Sequence, residues 1–253
     1  MSHVFPRNIT APPVKAVASE GCYIIDETGK RYLDGSGGAA VSCLGHGDPE
    51  VIAAIKEQTE QMAFAHTGFF TSNPAEELAE VLIEHAPAGL DRVYFVSGGS
   101  EAVEAALKLA RQYHLENGEP QREHIIARRQ SYHGNTLGAL DLSGRKPLRR
   151  PYEGWLGRFR HVSAAYPYRA GMPGSNALGE ADELAEELDR AIVAAGPGTV
   201  AAFVAEPIVG ASLAAAVPPD GYWPAIAEVC RRHGVLVIAD EVMTGFGRTG
   251  RWF

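Results

Sequence analysis

The sequence has 253 residues, 45% hydrophobic and 21% charged, a globular composition long enough for one large domain or a domain with a smaller companion. Its formal net charge of -8 argues against a nucleic-acid partner, which needs a basic face. No apolar run approaches the length of a membrane span, and "MSHVFPRNIT" lacks a secretory core. Cys22, Cys43 and Cys230 are odd in number and scattered, as neither a disulfide framework nor a zinc site would have them. A cytoplasmic chain is the expectation.

No internal repeat or low-complexity tract is present. Residues 1–47 are rich in turns and glycine, as in "DETGKRYLDGSGGAAVSCLGHG", with short alternating runs that predict small strands. A helix is predicted from Asp48, which can cap it, with Pro49 in the first turn and Val51, Ile52 and Ile55 on one face. A second helix fits Pro74 to His85. Apolar runs then alternate with helical patterns: "RVYFVS", a helix over Glu101–His114, "HIIARR", a helix within Glu180–Ala195, "VAAFVAEP", a helix around Pro224–His233, and "VLVIADE". Short apolar strands separated by helices predict an α/β fold whose mostly parallel sheet is covered on both faces. The Pro/Gly/Ser-rich stretch Ala164–Ala181 breaks this rhythm and reads as a long surface excursion.

In such sheets ligands gather at the carboxyl ends of the strands. After "RVYFVS" a glycine pair turns the chain, and Ser100 and Glu101 open a helix on which Glu104 and Lys108 are spaced for an i,i+4 pair. That helix start can cradle a phosphate with its free N–H groups or be an ordinary capped turn. Tyr132 and His133 lie between a strand and a helix start led by Gly134; the aromatic ring can cover a flat cofactor or simply fill core. Glu206 ends an all-apolar strand ahead of Pro207, a costly position unless the carboxylate is functional or paired with a nearby arginine. Val235–Ala239 reads as a fully buried strand, and Asp240 is the first charge at its carboxyl end. An aspartate there can keep a pyridine nitrogen protonated and make the ring an electron sink, with Val242 against the ring's underside. Gly245, Gly247 and Gly250 also spell the G-x-G-x-x-G of a dinucleotide site. Five residues separate the strand from the first glycine, however, where the fingerprint has the glycine follow almost directly, so a flexible loop explains them better.

Taken in order, "SGGSEAVEAALKLAR", "SYHGNT", "AEPIVG" and "IADEVMTGFGRTG", together with the earlier "DETGKRYLDGSGGAAVSCLGHGDPEVIAAIKEQ", resemble the class III pyridoxal-phosphate-dependent aminotransferases of fold type I. The likeness runs from about Tyr23 to Phe253. It implies a three-layer large domain over residues 61–253, incomplete here, and the amino-terminal part of a small domain with its linking helix over residues 1–60. By the resemblance, Gly99 and Ser100 hold the phosphate of pyridoxal 5'-phosphate, Tyr132 stacks on its ring with His133 beside it, and Val242 backs the ring. Asp240 pairs with the ring nitrogen, and Glu206 lies on the substrate side, where it orients the donor. Family members are homodimers that move an amino group from a small-molecule donor to a 2-oxo acid such as pyruvate or 2-oxoglutarate. Asn135 follows the His-Gly pair where members acting on acetylated ornithine tend to carry arginine, so an amino acid with a terminal amine, or a simple amine, is the expected donor.

One departure matters. The family's Schiff-base lysine lies beyond the aspartate, whereas Lys15, Lys30, Lys56, Lys108 and Lys146 all precede it. An inactive amino-terminal fragment, truncated at its carboxyl end, is therefore expected. Two alternatives stay open: a non-catalytic remnant or half of a split enzyme, and an NAD-dependent oxidoreductase using Gly245–Gly250.

Overall fold

Asp48 and Pro49 start a helix as the sequence predicts: in the computed structural model, which describes residues 3–253, the Asp48 carboxylate accepts from the N–H groups of Glu50 and Val51 at 3.0 Å. Two compact units divide the chain, residues up to 78 and residues 79–253. In the first, β1 (Ala16–Glu20), β2 (Tyr23–Asp26) and β3 (Arg31–Leu33) form an antiparallel meander. A single left-handed turn follows, α1 (Gly37–Ala40), and then α2 (Pro49–Gln61). Next along the chain is α3 (Asn73–His85).

The second unit is built on four parallel strands. Its elements are α4 (Gly99–Glu116), β4 (His124–Arg128), α5 (Leu137–Leu142), α6 (Lys146–Arg149), β5 (Arg160–Val162), β6 (Ala164–Ala165), β7 (Ala177–Leu178), α7 (Ala181–Ala195), β8 (Val200–Ala205), α8 (Tyr222–His233) and β9 (Leu236–Ala239). The sheet order is β5-β4-β8-β9, with Ile126 opposite Phe203 and Ala205 opposite Ala239. Alternate residues of a strand face opposite sides. Ile126 and Phe203 accordingly pack with Leu188 and Ile192 of α7 and Ile226 of α8, while Ala127 and Val204 pack with Val103 and Leu107 of α4 and Leu142 of α5. This is the expected three-layer arrangement. Among the described residues no helix is long and apolar enough to cross a membrane.

Four expectations need correction. Arg92–Ser97 is not a strand: it pairs with none among the described residues, and an apolar, β-branched run becomes a strand only through a ladder partner. Among the described residues Val235–Ala239 is not fully buried: β9 pairs there with β8 alone, and Val237 is 43% exposed. The stretch Ala164–Ala181 is more ordered than a bare excursion, since β6 and β7 pair within it. Glu104 does not reach Lys108; it accepts instead from Thr136 Oγ1 at 2.6 Å and Ala139 N at 3.2 Å, tying α4 to the start of α5. The short elements β5, α5 and α6 carry too little periodicity to be read from sequence.

Candidate active site

The ends of β4, β8 and β9 lie side by side in the register, so parallel pairing alone brings together segments far apart in sequence. Beyond β4 come Tyr132 and His133, beyond β8 comes Glu206, and beyond β9 comes Asp240. The N–H of Asp240 donates to Ala205 O at 2.9 Å, continuing the ladder one step past the strand. His133 Nδ1 stands 2.7 Å from Asp240 Oδ2, and both side chains are almost wholly buried. An ionised aspartate only accepts, so Nδ1 carries the hydrogen. The other ring nitrogen of His133, Nε2, is buried without a partner. Asp240 Oδ1 accepts from Val242 N at 3.2 Å.

Glu206 is 4% exposed. Its carboxylate accepts only from main-chain groups, Gly210 N at 3.2 Å and Tyr132 N at 3.4 Å, and it makes no ion pair among the described residues. Loss of water raises its pKa above the ordinary glutamate value; His133, the Gly210 N–H and Arg128 act against that rise, and Asp240 adds to it. The arginine pairing that sequence left open therefore takes another form: Arg128 Nη2 donates to the main-chain oxygen of Glu206, not to its carboxylate.

The fourth segment is the start of α4. No side chain caps this helix at Gly98, which leaves its first N–H groups for an outside acceptor. Ser100 Oγ accepts from Asn135 N at 2.9 Å, linking the helix start to the loop after β4. Gly134 makes that approach possible: its φ is +141°, and a Cβ there would fall 2.7 Å from Ser100 Oγ and 2.8 Å from Ala139 Cβ. A Cβ on Gly99 would come within 3.2 Å of Val242 Cγ2, so the helix start and the segment after β9 are neighbours. Val242 is 65% and Tyr132 40% exposed. Two open apolar side chains are thus available to a flat ligand while the charged groups sit below the surface.

Of the seven residues singled out in the sequence, Asp240 bonds to His133 and Val242, Val242 neighbours Gly99 beside Ser100, and Glu206 is reached by the main-chain N–H of Tyr132. Arg128 was missed. Its signal was the same as that of Glu206, a charge at the carboxyl end of an apolar run, but in "HIIARR" it looks like ordinary polar termination. Residues 242–249 form turns, and the five residues between β9 and Gly245 keep the first glycine away from the strand end where a dinucleotide fingerprint has it.

The uncapped helix start, the aspartate with its histidine and the two open apolar side chains suit a phosphorylated aromatic ring with a basic nitrogen. The family model of Aminotransferase class-III matches residues 4–253. An uncharacterized aminotransferase of Schizosaccharomyces pombe is 47% identical over 250 residues, 98% of this chain and 54% of that protein. The putrescine–pyruvate aminotransferase of Pseudomonas aeruginosa is 38% identical over 240 residues, 93% of this chain and 51% of that protein. The omega transaminase from Pseudomonas jessenii in complex with PMP matches with a TM-score of 0.91 at 36% identity, covering 100% of this chain and 57% of that one. The chain spans about half the length of the curated relatives it matches.

Proposed function

The chain belongs to the class III aminotransferases, with their fold type I architecture and pyridoxal phosphate as the family's cofactor, and from that premise we propose that the whole protein moves an amino group from a terminal or simple amine to a 2-oxo acid such as pyruvate or 2-oxoglutarate. The observation that carries this reading is the buried Asp240–His133 pair at the end of β9, beside the under-satisfied Glu206 and within one segment of the uncapped start of α4. The putrescine–pyruvate aminotransferase among the relatives and Asn135 after the His-Gly pair support the amine donor. Homodimerisation, a cytoplasmic site of action, and a division of labour between residues 1–60 (small domain and linking helix) and 61–253 (cofactor-binding domain) belong to the same proposal.

Pyridoxal phosphate, when bound, supplies an electron sink for the bond broken at the amine-bearing carbon. In our assignment Gly99 and Ser100 hold the phosphate, the first by its N–H at the positive end of α4 and the second by its hydroxyl. Tyr132 and Val242, both open to a ligand, would lie against the ring. Asp240 keeps a proton on the ring nitrogen, and the Nδ1–H of His133 holds the Asp240 carboxylate in place and stabilises its charge. Glu206 faces the substrate and orients its ammonium group.

For a polypeptide of residues 1–253 alone we propose no turnover. Lys108 is exposed on α4 and Lys146 opens α6, and neither bonds to the His133, Glu206 or Asp240 side chains among the described residues, while Lys15, Lys30 and Lys56 belong to the first unit. Borohydride reduction with pyridoxal phosphate, followed by mass spectrometry, tests this: a stoichiometric adduct on any of these lysines overturns it. For the whole protein, the test is amine-dependent conversion of pyruvate to alanine with a matching absorbance change of the cofactor; tight NADH binding with neither signal would overturn the aminotransferase reading.

A further inference from the structure

Arg128 ends β4 with its side chain 1% exposed, the bulkiest fully buried side chain among the described residues. A guanidinium carries five N–H donors, and burying its charge is costly unless the charge is paired or its donors are satisfied. Here Nη2 donates to Glu206 O, while Nε and Nη1 are buried without partners. The guanidinium carbon lies 5.5 Å from the ring centroid of Tyr222, within cation–π range. No carboxylate forms an ion pair with it among the described residues.

Glu206 is the complementary case, a buried carboxylate whose only donors are two main-chain N–H groups. Buried charges of opposite sign thus lie at adjacent strand ends, joined through a main-chain oxygen instead of side chain to side chain. Pro207 restricts Glu206 to extended backbone, so holding its carbonyl as well fixes the direction in which its side chain leaves β8. We propose that Arg128 is a positioning residue for Glu206, pinning the main-chain oxygen at the end of β8 and supplying the buried positive charge that lets the carboxylate face the site as an anion. This rests on the reading of Glu206 as the substrate-side group. The titratable and charged groups that act on Glu206 are His133, Arg128 and Asp240, and Arg128 works with His133 against the effect of burial.

The test is a carbon-13 titration of the glutamate side-chain carboxyls in the whole protein, with the Glu206 resonance identified by its loss in Glu206→Gln. Arg128→Met removes charge and donor, Arg128→Gln removes charge and keeps a donor, and Arg128→Lys keeps the charge. Each is checked for retained fold by near-ultraviolet circular dichroism, and whichever neutral variant folds carries the result. The expected outcome is an upward shift of the Glu206 midpoint in the neutral variant, reversed in Arg128→Lys. An unchanged midpoint in the neutral variant, or a lysine variant shifted as far as the neutral one, overturns the proposal, because a merely space-filling arginine would not move this titration. The readout does not depend on turnover. Absence of transaminase activity in the whole protein would sink the functional reading while leaving the titration result intact.

Discussion

Asp26 and Asp34 in the first unit, and Glu206 and Asp240 at the strand ends of the second, are all carboxylates with little exposure, but their surroundings differ. Asp26 takes hydrogen bonds from Thr28 N and Oγ1, Lys30 N and Tyr32 Oη at 2.7–3.0 Å. Asp34 takes them from Gly38 N, His46 Nε2, Ser36 Oγ and Ser42 Oγ. Each is drawn down to about 2, led by the Thr28 side chain for Asp26 and the Gly38 N–H for Asp34. Glu206 has two long main-chain bonds and a raised pKa, and Asp240 has one histidine and one main-chain N–H. A carboxylate ringed by donors is spent on local structure. One stripped of water and left with spare acceptor capacity is available to something else.

The strongest way to break this contrast is Asp240→Asn in the whole protein. The amide oxygen can still accept from His133 Nδ1 while the longer bond from Val242 N is given up, so the fold should hold and stability should fall by no more than about 1 kcal/mol. The amide cannot hold a proton on a ring nitrogen, and kcat/KM should fall by about a thousandfold, within the range for a positioned acid–base group. A joint loss of stability and activity would place Asp240 with Asp26 instead. Next in size is the apolar support of the strand ends. Phe203 is fully buried in β8, and Phe203→Ala should cost about 3–5 kcal/mol by urea unfolding. In the first unit Asp26 is the only buried residue among those described, so its local structure leans on these hydrogen bonds.

What sequence could reveal follows the same division. The strands β4 and β8 were legible because burial on both faces makes them continuous apolar runs, and α7 and α8 because one apolar face repeats along each. Arg92–Ser97 has the same composition as a strand, but pairing is decided by neighbours that composition does not specify. The exposure of Val237 likewise depends on β9 having a strand on one side only among the described residues. Glu206 and Asp240 were visible as charges closing apolar runs. The contact between His133 and Asp240, 107 residues apart, and the turning of Arg128 toward a main-chain oxygen are products of the register, which no single strand encodes.

Acid should separate the two kinds of carboxylate. Asp26 and Asp34 have folded values of about 2, below the ordinary 3.8, so the native state binds fewer protons than the unfolded one between those limits. Their contribution to stability is complete above the ordinary value and is lost as pH falls through about 2. Protection of the Thr28 and Lys30 amides, measured as exchange relative to the unstructured rate at the same pH, should therefore fall below pH 4, and Asp26→Asn should remove the pH dependence of protection at Thr28. Unchanged protection down to pH 2 would show that the donors around Asp26 are incidental to the β2–β3 turn.

Glu206 should give the smallest effect, with the opposite sign. Its folded value is raised above 4.5, so the native state binds more protons than the unfolded chain in the window from that value upward. Wild-type stability should fall as pH rises through the window, because the carboxylate must then be charged in a site that disfavours the charge. Glutamine has nothing to titrate. It loses the longer of the two main-chain bonds at every pH, which lowers the whole curve without bending it. Measured against wild type by urea unfolding, Glu206→Gln should therefore become relatively more stable between pH 4 and pH 8, whereas Asp26→Asn should become relatively less stable as pH rises from 2 to 5. If the two differences slope the same way, Glu206 is an ordinary structural carboxylate. If they cross, β8 ends in a charge that the fold tolerates at a cost to its own stability, as expected of a group kept for a substrate.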